Sequence, residues 1–368
     1  MQDWLEPLAG GIVLAITLLD VFLTVLYARA GTGLLAPRLA RGVWRVFRGL
    51  SGGGRHARIL TYCGPAQLVV LVLMWGVLLA LGAGLVIHPA LGSGVKSSSG
   101  ATETDFITAL FVGGSSMSIV GASDYGPTTP GYKLLFLFNS LVGMSVTSLT
   151  LTYLMQVYTA LRSRNTLGLM VHAQSGETGD AAELIARWGP EGRFDGGYNN
   201  LSTLAGQMAA IKETHHFYPV LFYFRFEESF YAASRMLLVT LDAAALIRTA
   251  LDPRELGWLQ KSAGLDELER SSALLLRTLS QNFPVHHGPS ADREQSRERG
   301  RLRYERALLR LREADIPTRQ DAEAGAREYV ELRAKWEPDI AAVAPALGYR
   351  MEEVDTAGYG GASRAPGG

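Results

Sequence analysis

Hydrophobic and polar positions are distributed unevenly along this chain. Residues 9–28 (AGGIVLAITLLDVFLTVLYA) carry one charge, Asp20, while residues 59–87 and 134–161 carry none. A helix needs about 20 residues to cross a hydrocarbon core of about 30 Å, so each stretch predicts a membrane span. One such window also suits a buried helix of a soluble domain, but three of them before residue 162 point to a bilayer. The first window begins after MQDWLEP, which is acidic rather than basic, and no small-residue cleavage pattern closes it. An uncleaved span is expected there rather than a leader.

Beyond residue 161 the pattern changes. AAELIARW, NLSTLAGQMAAIKETHHF, EESFYAASRMLLVTLDAAALIRTAL, ELERSSALLLRTLSQNF and REQSRERGRLRYERALLRLREADI repeat apolar residues at spacings of three and four, with charge on the opposite face. That period predicts helices. No sustained alternation supports a parallel sheet, and no G-x-G-x-x-G opens a helix, so a Rossmann-type nucleotide domain is not expected.

Charge sets the expected orientation. The loop after the first span holds Arg29, Arg38, Arg41, Arg45, Arg48, Arg55 and Arg58 without an acid, whereas the N-terminal tail holds Asp3 and Glu6. The positive-inside rule places that loop in the cytoplasm and the N-terminus outside. Residues 89–132 then face outward and everything past about 161 is cytoplasmic, with Arg162 and Arg164 marking the inner end of the third span. GVWRVFRGL in the basic loop interleaves aromatic and basic residues, a pattern suited to an amphipathic helix on anionic lipid at the inner leaflet. Nucleic acid is not the expected partner, because the basic patch is small and tied to the membrane. Over the whole chain, 35 basic residues balance 35 acidic ones.

The outward segment is too long for a simple turn. After the polar run GSGVKSSSGAT, the piece ETDFITALFVGG predicts a short helix, with Thr104 as its cap and its start near Asp105. It is too short to span and suits a re-entrant helix. It leads into SIVGASDYGP, residues 118–127. Irregular backbone at membrane depth must line a cavity enclosed by protein or water, where carbonyls can replace the hydration shell of a cation.

The order of span, short helix, glycine-containing strand, acid, proline and span resembles the pore module of the tetrameric potassium channel superfamily, in particular small prokaryotic channels with two or three spans. The family's signature reads Thr-Thr-Val-Gly-Tyr-Gly-Asp, followed after two residues by Pro. Without a gap, Ser118 and Ile119 fall on the threonines, Val120 and Gly121 on Val-Gly, Asp124 on the acid and Pro127 on the proline. Ala122 stands where the family has tyrosine and Ser123 where it has the second glycine. The resemblance covers about residues 60–160. It implies a homotetramer with Ser118, Ile119, Val120, Gly121, Ala122, Ser123 and Asp124 as the filter and K+ as the permeant ion. The two departures leave open a weakly selective cation channel, or a non-conducting sensor or scaffold. The resemblance also implies that the third span is the inner, cavity-lining helix.

The expected fold is thus an all-α membrane protein with three transmembrane helices, a re-entrant pore helix and filter loop, and a helical cytoplasmic C-terminal domain. Its parts are a first span with an outside N-terminus (1–30), a basic interfacial linker (31–60), a pore module (61–160), the cytoplasmic domain (161–351) and a disordered tail (352–368). The expected location is the inner (plasma) membrane.

Candidate residues in the third span are Asn139, Gly143, Thr147 and Thr150, serving either a wet cavity with Gly143 as a hinge or interhelical packing. Asp20, mid-span, is either a sensing acid or a polar contact to a neighbouring helix. His215 and His216 lie in the aromatic stretch THHFYPVLFYFRFEESF, which suits a ligand or pH-sensitive contact, or a packed joint. A second pair, His286 and His287, is the other histidine cluster. Cys63 is the sole cysteine, which excludes an intrachain disulfide. Walker, zinc-protease, serine-hydrolase and kinase signatures are absent, so neither an enzyme nor a cofactor is expected. No cytoplasmic ligand is specified.

Overall fold

The computed structural model describes residues 4–27, 33–52, 57–118, 121, 124–282 and 291–359. Among these residues the protein is all-α apart from one short two-stranded ribbon. The chain forms two compact units: residues 1–49, 63–158 and 218–220 make the first, and residues 50–62, 159–217 and 221–368 the second.

Among the described residues, three helical stretches are long and apolar enough to cross a membrane: Leu5–Leu26, Ala57–Ala90 and Pro130–Gln174. They overlap the three apolar windows, of which only the first carries a charge, Asp20. In the first unit, α1 (Leu5–Val21) runs on into a π-helical turn, Phe22–Leu26, and α2 (Ala36–Leu50) follows it. Arg38, Arg41, Arg45 and Arg48 are exposed on α2, whereas Trp44 is buried. α3 (Cys63–Ile87) packs against α1 and against α4 (Phe106–Met117). The α3–α4 contact is close because Gly113 meets the backbone of Gly84, where any Cβ would clash.

Strand β1 (Val95–Ser97) pairs antiparallel with β2 (Tyr125–Pro127), placing Val95 opposite Pro127 and Ser97 opposite Tyr125. The polar run after residue 91 is therefore partly ordered as a strand. α5 (Pro130–Gln174) is continuous over 45 residues.

In the second unit, α6 (Ala181–Trp188), α7 (Gly197–Phe217), α8 (Ala233–Ala250), α9 (Gly257–Gln260), α10 (Ala263–Asn282), α11 (Ala291–Glu313), α12 (Ala322–Arg333) and α13 (Glu337–Ala346) share one core. α8 is central, and every residue of it except Arg248 is buried. A helix buried on all sides carries no solvent stripe, so its one acid must find partners indoors. Asp242 accepts hydrogen bonds from Tyr329 (2.5 Å) and Arg333 (2.6 Å), and its other oxygen lies 2.7 Å from Arg303 Nε. Asp355 completes the cluster with Arg303 and Arg333. The stretch from 352, expected as a disordered tail, begins with the ordered turns α14 (Met351–Val354) and α15 (Thr356–Tyr359), because burying Asp355 between two guanidiniums anchors it.

Candidate functional site

The motif segment is approached through α4. Its N-cap is Asp105 rather than Thr104: the carboxylate accepts the amides of Ile107 (2.9 Å) and Thr108 (3.0 Å) and the Thr108 hydroxyl (2.6 Å). Two of the amides that lack partners at a helix start are thereby satisfied. The Thr108 hydroxyl first, then the amides, hold this carboxyl below its ordinary range.

At the other end, Ser118 closes α4, its hydroxyl donating to the Ser115 carbonyl (3.0 Å). Gly121 follows with φ +75, its amide donating to the Ser118 carbonyl (3.3 Å). That backbone region disfavours side chains, which accounts for glycine there. Ile119, Val120, Ala122 and Ser123 lie outside the described residues, as do His286 and His287. Asp124 is exposed, and its carbonyl accepts from the amide (2.8 Å) and hydroxyl (3.2 Å) of Ser98. Thr128 donates its amide to Gly94 O (2.8 Å) and its hydroxyl to Ser93 O (3.1 Å). The carboxyl-terminal half of the motif is therefore pinned to the 93–98 turn.

The four candidates on α5 do not share one environment. Asn139 is fully buried and donates from Nδ2 to Ser116 Oγ on α4 (2.9 Å), while its Oδ1 has no partner among the described residues. Gly143 faces the carboxyl end of α4, where a Cβ would fall inside the contact shell of the Met117 carbonyl oxygen. Here glycine permits a close approach of two backbones, and the helix continues through it unbroken. Thr150 is buried. Thr147 is exposed, as are Ser140, Met144, Ser148 and Leu151, and its hydroxyl donates to Gly143 O (2.8 Å).

Asp20 is completely buried. One oxygen accepts the Leu35 amide (2.7 Å), just ahead of α2, and the other accepts Trp75 Nε1–H from α3 (2.8 Å). The mid-span acid therefore makes the polar contact to a neighbouring span, and it also caps the start of the amphipathic helix.

In the second unit, His215 is buried and His216 half-buried, pointing apart as adjacent helical positions must. His215 Nδ1 bonds the Ile211 carbonyl (2.9 Å), and its ring tilts against Phe222 at 5.2 Å. Burial first, then the charge of Arg164, push its pKa down to about 3. The imidazole is therefore neutral at ordinary pH. Arg164, read from sequence as a charge flanking the span, is only 4% exposed and grips the carbonyls of Leu221 (2.9 Å) and Phe224 (3.0 Å). Arg225 is likewise buried and stacks over the Tyr349 ring at 4.8 Å. No sequence signal marked these arginines as interior, because their acceptors are backbone carbonyls. Among the described residues, no group of three or more His, Cys, Asp or Glu side chains gathers as a metal site.

These features belong to a multi-span, largely apolar helical membrane protein. No family model matches the chain, and no solved structure matches it. It is 20% identical over 241 residues to the uncharacterized membrane protein YdjJ of Bacillus subtilis (strain 168), an alignment covering 65% of this chain and 68% of that one.

Proposed function

We propose that the chain is one subunit of a homotetrameric cation channel that passes potassium down its gradient through a ring of backbone carbonyls from residues 119–123. The observation that carries this reading is the order of elements in the first unit. A long apolar helix, α3, is followed by the 12-residue apolar α4, the SIVGASDYGP motif and the long apolar α5. Gly121, in its left-handed conformation, falls on the glycine of the family signature. α4 turns its carboxyl end, the negative end of its dipole, toward the motif, which favours a cation there. Each chain supplies one such segment, so four copies around an axis are needed to surround an ion.

On this reading the exposed face of α5, with Ser140, Met144, Thr147 and Ser148, lines the cavity, while Asn139 and Gly143 brace α4. Asp124 sits at the outer mouth and raises the local cation concentration. The N-terminus is outside, α2 rests its arginines on anionic lipid, and the second unit is cytoplasmic. No catalysis and no cofactor enter the reading.

Ala122 and Ser123 favour a second reading, because the signature tyrosine and second glycine are missing at those positions. It is a weakly selective channel, or a silent membrane scaffold. Potassium efflux from proteoliposomes separates them. Efflux that continues when sodium replaces potassium indicates weak selectivity, and silent vesicles holding a verified tetramer indicate the scaffold.

A further inference from the structure

Arg164 is a buried charge without a counter-charge. No carboxylate lies within ion-pairing distance of it among the described residues, and its two terminal nitrogens are taken up by backbone carbonyls. Its Nε is buried without a partner among the described residues. That side chain lines a small cavity inside the second unit, walled by His215, Phe222, Tyr231, Leu347 and Tyr349. The centre of a small guest has about 10 Å³ to occupy there, room for one monatomic ion or one water.

The surrounding charges do not neutralise it. Arg225, also buried, spends its hydrogen bonds on the carbonyls of Gly348 (2.8 Å) and Ala57 (3.3 Å). His215 is neutral, its Nδ1 engaged by Ile211. Glu353, the acid whose charge reaches Tyr349, is paired with Arg350 at 3.3 Å. The Tyr349 oxygen accepts the Phe226 amide (2.9 Å), which leaves its own O–H to donate. Arg164 and Tyr349 thus both line this partly open cavity, each with one hydrogen-bond donor not spent elsewhere, and the guanidinium gives the site a net positive charge. An uncompensated buried charge is costly, and an anion placed against it recovers part of that cost.

We propose that this cavity is a binding site for a halide-sized monovalent anion, held by Arg164 Nε–H and Tyr349 O–H. Arg164 lies on α5, so the anion fixes the carboxyl-terminal part of that helix against the 221–224 turn.

The test uses the full-length protein in detergent, unfolded by heat at constant ionic strength while gluconate is exchanged for chloride or bromide. The wild-type midpoint rises saturably with halide. Tyr349→Phe keeps the aromatic wall but removes one donor, and it weakens the apparent halide affinity by about tenfold. Arg164→Gln abolishes the halide response, and if that variant does not fold, Tyr349→Phe decides alone. Crystals grown in bromide show an anomalous peak beside Arg164 Nε. A midpoint indifferent to halide overturns the proposal, as does a response unchanged in Tyr349→Phe, or bromide peaks found only elsewhere.

Discussion

Asp20 and Trp75 meet through a 2.8 Å hydrogen bond between helices α1 and α3, and the same carboxylate takes the amide that precedes α2. One buried acid thus fixes three elements. Asp20→Leu leaves the indole N–H and the Leu35 amide without acceptors, each costing about 1–3 kcal/mol where it stays dry. The expected outcome is faster amide hydrogen exchange along residues 35–45, with α3 protected as before. Unchanged exchange in α2 would show that Asp20 does not hold it.

Gly143 on α5 packs against the Met117 backbone at the end of α4, leaving no room for a Cβ. Gly143→Ala is expected to push the helices apart and cost about 1–3 kcal/mol, the usual range for overpacking. Gly76→Ala is the control, because a Cβ there meets nothing within 4 Å. Resistance to thermal unfolding in detergent should fall for the first and hold for the second. Equal midpoints would contradict the close-contact role of Gly143.

Ser116 Oγ accepts from Asn139 Nδ2 at 2.9 Å and donates to Gly113 O at 2.7 Å. Ser116→Ala strands the Asn139 amide, whose oxygen already lacks a partner. A loss of about 1–3 kcal/mol is expected. Asn139→Leu in the same background should recover part of it, since an apolar pair leaves no amide unpaired. Strict additivity of the two substitutions would argue against the coupling.

These contacts mark what was legible in the sequence. The three spans were, since a run of about 20 residues with at most one charge has few alternatives. So was α4, although its cap falls one residue later than expected: Thr104 and Asp105 are both capping residues, and backbone geometry chose the acid. Asp242 lies in a stretch whose spacing predicts an amphipathic helix with charge on its outer face. Its partner Arg333 lies 91 residues away, and nothing local announces that α8 is enclosed on every side. Residues 227–232 were expected in that helix, but they form a short 3-10 turn and extended backbone before it. Arg164 shows the same limit, because a charge after an apolar run looks identical whether it meets water or carbonyls.

His215 gives a pH dependence. Its imidazole titrates near 6.5 when unperturbed and is held at about 3 in the fold. Between those values the unfolded chain binds a proton that the native state does not. The contribution is therefore fully present above about pH 6.5 and is lost as pH falls toward 3, amounting to about 2 kcal/mol by pH 5. Unfolding midpoints recorded from pH 7.5 to 5 should decline less steeply in His215→Gln. Parallel profiles would mean that this histidine does not titrate as its surroundings dictate.

The central claim, that residues 118–124 form a cation filter in a tetramer, is tested most directly by reversal potentials in planar bilayers under a potassium gradient. Wild-type currents should reverse near the potassium equilibrium potential, and Ala122→Tyr combined with Ser123→Gly should shift selectivity further toward potassium over sodium. Bilayers that stay silent with verified tetramer present, or currents untouched by that double substitution, would contradict it.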